Sequence, residues 1–313
     1  MQRRLPLVAA IALLFVVGIP ATTTLARFTS TAASTGSFAA DTLAPPTSVA
    51  AAGGATVTLT WVASADAYAT GYGIWRSATS GSGYVLVSSV TPGTATTATD
   101  SPGAGTWYYV VRTTFASWTS AVSNQPTAVV TATSTTYKPC VSNAPDTTGA
   151  GDNNGYQTTP ANACGASDAA YAVDPSSGTS TTASCGTGAV PDTTKDRHQF
   201  YGNVFGLPGT VAHIDGIRVQ ADLSLNAVTG TTTLCAQLSW DGGTTWTTIK
   251  TQAITVAAKT TYIFGATNDT WGHTWSLSEL GPTKFRVRII DASTIATRNF
   301  SLDYLAVSVT YAP

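Results

Sequence analysis

The sequence predicts an all-β protein built as two successive β-sandwiches. Three observations carry this. Apolar and polar residues alternate with period two in many short runs. Turn-forming Gly, Asn, Asp and Pro separate those runs. No stretch has the 3.6-residue periodicity of a long amphipathic helix. The 313 residues suit about two domains. Charged residues make up 10% and hydrophobic residues 43%, which leaves ample core material under a weakly charged, Thr- and Ser-rich surface of secreted character. The net charge of −1 removes the electrostatic footprint of a nucleic-acid binder.

The chain opens MQRR, followed by LPLVAAIALLFVVG and the small-residue exit IPATTTLA. Basic, apolar and small segments in this order read as a signal peptide over residues 1–26. Its apolar run is shorter than the roughly 20 residues of a spanning helix, so no stable membrane insertion is expected after cleavage. Ala26, Phe28-Thr29 and Ser37-Phe38-Ala39-Ala40 resemble the export segment of camelysin-type biofilm fibre proteins. That resemblance covers 26–43 and implies export and a cell-surface fate. Residues 27–44 are then a processed segment or linker.

Residues 45–132 contain TVTLTW, with Val57, Leu59 and Trp61 on one face; GYGIWRS, with Tyr72 and Ile74 inward; and GTWYYVVRTTF, with Trp107, Tyr109 and Val111 on one side. This is the pattern of an antiparallel sandwich. Pro45-Pro46, Trp61, Tyr72-Gly73-Ile74 and Tyr108–Arg112 resemble a fibronectin type III domain. In strict alternation, Trp107 takes the place of that family's corner tyrosine. The resemblance implies a spacer.

Residues 133–199 are rich in Gly, Ser and Thr, have little periodicity and carry Cys140, Cys164 and Cys185; Cys235 follows. A structureless run of this length is unusual in a compact domain, so covalent tethering is expected. An even cysteine count behind a signal peptide reads as a disulfide framework. Of three connectivities, Cys140–Cys164 with Cys185–Cys235 is favoured. No Cys-x-x-Cys or close Cys/His pair suggests zinc.

Over 200–313 the alternation is clear. Ile217, Val219, Ala221, Leu223 and Leu225 point in, with Arg218, Gln220, Asp222 and Ser224 out. Phe285, Val287 and Ile289 point in, with Lys284, Arg286 and Arg288 out. The last run switches its apolar face near Tyr304-Leu305, which predicts a bulge or burial on both faces. The pattern predicts a jelly-roll-like sandwich. GDNNGYQ, NACGASDAAYAVDPSSGT, LSWDGGTTWT, DTWGHTW and FRVRI with FSLDY resemble a module of bacterial and phage-associated secreted proteins. This supports the fold and gives no chemistry.

Three features bear on function. SWDGGTTW, Ser239–Trp246, has the spacing of the sialidase Asp-box. In that family the box is a structural turn repeated on propeller blades; here it occurs once, without a blade-length repeat. Asp241, Gly243 and Trp246 therefore read as turn chemistry. NDTWGHTW places Trp271, His273 and Trp275 in one loop, a candidate sugar-stacking site. FSLDYLAV resembles the last strand of jelly-roll carbohydrate-binding modules, which implies that Asp303 helps to hold a structural calcium, with Asp146 and Asp152 as further oxygen donors. No other cofactor is expected.

Glu279 is the one glutamate, and no Gly-x-Ser-x-Gly or His-Glu-x-x-His motif accompanies the three histidines. The expected function is thus a non-enzymatic, extracellular or cell-surface structural or adhesion protein. Its alternatives are a carbohydrate-binding accessory in polysaccharide breakdown and a self-assembling fibre subunit. Polysaccharide or a cell-surface protein is the expected partner.

Overall fold

A computed structural model describes residues 24–27, 39–54, 56–146, 154–176 and 179–312. Most of the signal segment, of the camelysin-like stretch and Asp152 lie outside them. Thr24–Arg27 and Ala39–Thr42 pair antiparallel, with Thr24 opposite Thr42. Among the described residues no helix is long and apolar enough to cross a membrane. The chain forms two compact units, divided near residue 128.

The first unit is a seven-stranded sandwich of β1 (Thr47–Ala52), β2 (Val57–Val62), β3 (Gly71–Ser77), β4 (Val85–Val90), β5 (Thr97–Asp100), β6 (Gly105–Phe115) and β7 (Thr127–Val130). One sheet has the order β1-β2-β5 and the other β7-β6-β3-β4, with the two-residue strand Trp118–Thr119 added at the end of β6. This three-plus-four arrangement is the one the fibronectin type III resemblance implies. Val57, Leu59, Trp61, Tyr72, Ile74, Tyr109 and Val111 form its core as the alternation predicts, and Trp61 meets Tyr72 edge-on at 5.2 Å.

Tyr109, and not Trp107, is the aromatic that β6 buries. It is fully buried and donates to Asp100 Oδ2 at 2.9 Å. Trp107 is only half-buried and lies under the Arg76 guanidinium. Tyr72 ties the other end: its hydroxyl donates to Gly93 O and accepts from the Ser64 N–H, both at 2.8 Å. Tyr72→Phe orphans both groups and is expected to cost this domain about 1–2 kcal/mol, read as a lower denaturant midpoint at unchanged slope.

The second unit is a larger sandwich. Its strands are β8 (Ser142–Pro145), β9 (Ala172–Asp174), β10 (Asp196–Tyr201), β11 (His213–Leu225), β12 (Thr232–Ser239), β13 (Lys250–Ala253), β14 (Thr260–Gly265), β15 (Arg286–Ser293) and β16 (Phe300–Ala312). One sheet runs β8-β10-β15-β12-β13; in the other β16 pairs with β11 and β11 with β14, while β9 pairs along the far edge of β16. Strands consecutive in the chain mostly alternate between sheets, the jelly-roll habit. Ile217, Val219, Ala221, Leu223, Phe285, Val287 and Ile289 fill the interior together with Phe200, Phe300 and Leu305.

The change of face on β16 is a bulge. Asp222 pairs with Tyr304 and Leu223 with Leu302, so Asp303 is the extra residue. Cys140 bonds Cys164, and Cys185 bonds Cys235. The first bridge closes a loop within the aperiodic stretch before β10, and the second ties that stretch to β12. The stretch contributes β8 and β9 and covers outward positions that alternation assigns to solvent. Asp222 and Arg288 are only 5% and 4% exposed.

Candidate functional site

The aromatic site forms where the end of β12 meets the loop between β14 and β15. Trp240 follows β12 directly, and its ring stacks on His273 at 3.9 Å with 10° between the planes. Trp275 meets His273 and Trp240 edge-on at 4.8 Å and 6.2 Å. His273 Nε2 lies 3.3 Å from Glu279 Oε1, which fixes the imidazole in its stack. Glu279 also accepts the Ser276 N–H at 2.7 Å, at the start of the short 3-10 helix Leu277–Leu280. Burial works against the Glu279 charge, but the Ser276 and His273 contacts prevail and hold its carboxyl below the ordinary range. A depression of ≈ 320 Å³ adjoins this cluster, lined by Val211, His213, Ile214, Trp275, Ser276 and Leu277.

The three residues singled out in NDTWGHTW thus separate. His273 and Trp275 come together; Trp271 does not join them. Trp271 is 4% exposed and donates to Ile217 O at 2.8 Å, with the Lys250 ammonium 5.0 Å from its ring centre. Gly265 permits this approach: its φ is +76°, and a Cβ there would lie 2.6 Å from the Trp271 indole nitrogen. Trp275 is 6% exposed and donates to Thr270 O at 2.8 Å. The two indoles seal the end of the core and offer no free ring face to a sugar. Trp240 and His273 are the half-buried members that reach the surface. Sequence reasoning missed Trp240 because its partner arrives from a distant loop; the signal was an aromatic residue just beyond a strand end.

The calcium donors also separate. Asp303 accepts from Lys259 Nζ at 2.6 Å and from Ser167 Oγ at 3.2 Å. Ser167 Oγ also reaches Asp222 Oδ2 at 2.8 Å, and Thr261 donates to Asp222 Oδ1 at 2.7 Å. The bulge thus brings Asp303 to a lysine. Hydrogen bonding to Asp303 raises the Lys259 ammonium above its usual range. Asp146 precedes β10 in the opposite sheet's neighbourhood and is ion-paired with Arg288 Nε at 2.5 Å. Asp303 and Asp146 each face a cation of the chain, and among the described residues no three His, Cys, Asp or Glu side chains are arranged to hold a metal.

The Ser239–Trp246 turn closes as its residues predict. Asp241 Oδ1 accepts the N–H groups of Thr244 and Thr245 at 3.0 and 2.8 Å and the Ser239 hydroxyl at 2.9 Å. Gly242 and Gly243 have φ of +80° and +95°. The Trp246 indole donates to Gly243 O at 2.9 Å. Its ring lies 3.7 Å from the Arg288 guanidinium carbon, so the turn also covers a buried charge. Partial burial opposes ionisation of Asp241, but these donors win and hold its carboxyl below the usual range.

No protein-family model and no curated protein sequence matches the chain. Among solved structures, it is similar to an Fn3-like protein from Clostridium thermocellum, at 30% identity over 28% of this chain and 91% of that one, with a TM-score of 0.25. It is also similar to the CBM22-1-GH10 modules of a Clostridium thermocellum endo-1,4-β-D-xylanase in complex with xylohexaose. That likeness is at 20% identity over 38% of this chain and 20% of that one, with a TM-score of 0.23. A third likeness, to carbohydrate-binding modules from the β-sandwich superfamily, is at 8% identity over 80% and 91%, with a TM-score of 0.23.

Proposed function

We propose that this chain is a non-catalytic extracellular adhesion protein, in which the first sandwich is a spacer and the second holds a polysaccharide at its Trp240–His273 end. The observation that carries the reading is the parallel Trp240–His273 stack at 3.9 Å, which Trp275 joins edge-on and links to a ≈ 320 Å³ depression lined by polar and apolar residues. Flat rings with Glu279 at the imidazole, and Ser276 and His213 in the adjoining depression, suit the apolar faces and hydroxyl edges of sugar rings. Two disulfides support an oxidising compartment.

The histidines support the absence of catalysis, since each has a structural task. His198 is buried beside Asn143, and burial pushes it down to about 4. His213 pairs with Asp215, and His273 is clamped between Trp240 and Glu279. None is poised between a nucleophilic hydroxyl and a carboxylate.

A glycan array with the mature chain tests the proposal. Binding to at least one polysaccharide class is expected, and Trp240→Ala should weaken it about ten-fold or more, the scale of a central aromatic contact. Trp118→Ala, in the first sandwich, should leave it unchanged. Absence of binding, or binding indifferent to Trp240→Ala and His273→Ala, refutes this site.

A further inference from the structure

Three aspartates lie inside the second sandwich at one end of its core. Asp174 ends β9, Asp196 begins β10, and Asp291 sits on β15 directly opposite Asp196. They are 0%, 1% and 1% exposed. The Asp174 and Asp291 carboxyls come within reach of one another, and Ser176 ties the cluster together through its N–H to Asp174 and its hydroxyl to Asp196. Asp174 Oδ1 accepts the Ser176 N–H at 3.1 Å, while Oδ2 meets no protein donor. Asp291 Oδ1 accepts from the buried Tyr156 hydroxyl at 3.2 Å, and Asp196 accepts from Ser176 Oγ at 3.3 Å.

Two carboxylates cannot bond each other without a proton between them, because each alone offers only acceptors. The ion pairs described in this domain include neither Asp174 nor Asp291. The charged groups around them come from few elements. β9 brings Asp174 alone and β15 brings Asp291. Its partner β16 brings Phe300, Ser301 and Leu302 opposite β9. β10 brings Asp196 and His198, whose ring is held by Asn143 and meets Tyr156 edge-on. Lys195 flanks Asp196 and gives its ammonium to Ser180 O at 2.6 Å, within the field of Asp192. Arg197 and Arg288 lie near one another on the opposite face of this sheet, with Asp146.

We infer that Asp174 and Asp291 share one proton, and that this acid–carboxylate pair is a latch joining the two sheets, firm in acid and progressively weaker as the surroundings turn alkaline. The pair connects β9, on the edge of β16, to β15 in the facing sheet, so it acts across the core and not along one strand. Burial first, then the charges of Asp291 and Asp196, push the Asp174 carboxyl up to about 11. Burial and Asp196 likewise raise Asp291.

The sign follows from linkage. Above the ordinary carboxyl range of about 4, the unfolded chain has released a proton that the native state retains, so stability falls as pH rises toward the folded value. This is the reverse of ordinary acid denaturation. Between pH 7 and 9 His198 is already neutral and the cysteines are bonded, so neither contributes to the slope.

The test is thermal unfolding of the mature, oxidised chain. The transition of the second sandwich is identified as the one that shifts on disulfide reduction. Its Tm is expected to fall by about 5–10 °C between pH 7 and 9. The double variant Asp174→Asn with Asp291→Asn should flatten that slope by at least about half. Infrared spectroscopy of the unaltered protein at pH 7 needs no variant: a carbonyl band of a protonated, buried carboxyl is expected. A Tm constant or rising over this window, equal slopes in both proteins, or absence of the band overturns the latch. So does a Tm raised by calcium and lowered by chelator at pH 7, which would put a metal cation where the proton is placed.

Discussion

Asp146→Ala is expected to destabilise the second sandwich by about 3–5 kcal/mol, because it strands a buried guanidinium. Arg288 is 4% exposed, pairs with Asp146 at 2.5 Å, donates to Gln237 Oε1 at 3.1 Å and lies over the Trp246 ring. Burial already works against its charge, pulling its pKa down to about 10, with the nearby Arg197 adding to the strain and Asp146 opposing it. Removing the carboxylate leaves desolvation and repulsion uncompensated. A drop of about 10 °C or more in that domain's Tm is the corresponding reading. Adding Arg288→Met to Asp146→Ala should restore most of the loss, since an apolar chain of similar length needs no counter-charge. If the double variant is no better than Asp146→Ala, the effect belongs to the backbone around Asp146 and not to the pair.

Reduction of both disulfides is the second large effect. Cys140–Cys164 closes a span of 24 residues and Cys185–Cys235 one of 50. In the chain-entropy account each stabilises by about 3–4 kcal/mol through the unfolded state, the longer span by more. The second bridge anchors the aperiodic stretch to β12, packed against Ile290 and Ala292. Cys185→Ser with Cys235→Ser should therefore free the segment before β10 to proteolysis while the first sandwich keeps its melting transition. Unchanged protease resistance would show that β9, Lys195 and the Asp174 cluster hold the segment without the bridge.

The strands that line the two cores were readable because a strand with one face inward writes period two into the sequence. Ile217 to Leu225 on β11, and Val287 and Ile289 on β15 with Phe285 just before it, lie where alternation puts them. Outward positions were misread where an aperiodic segment covers them. Arg288 and Asp222 look like surface residues in their strands, yet Asp146 and Ser167 come from the region before β10 to meet them. The turn around Asp241 was legible, since the bonds its carboxylate accepts are local. The Trp240–His273 stack and the Asp174–Asp291 pair were not, because each joins residues from strands or loops far apart in the chain. The burial of Trp271 and Trp275 was also hidden: a loop tryptophan reads the same whether it faces water or caps a core.

The most direct test of the account is calorimetric titration of the best glycan from the array into the mature chain, with Trp fluorescence and product analysis on the same samples. Saturable binding, a fluorescence change that disappears in Trp240→Ala, and recovery of the glycan uncut are the predicted results. Cleaved glycan, or saturable binding with the Trp240 signal silent, would contradict it.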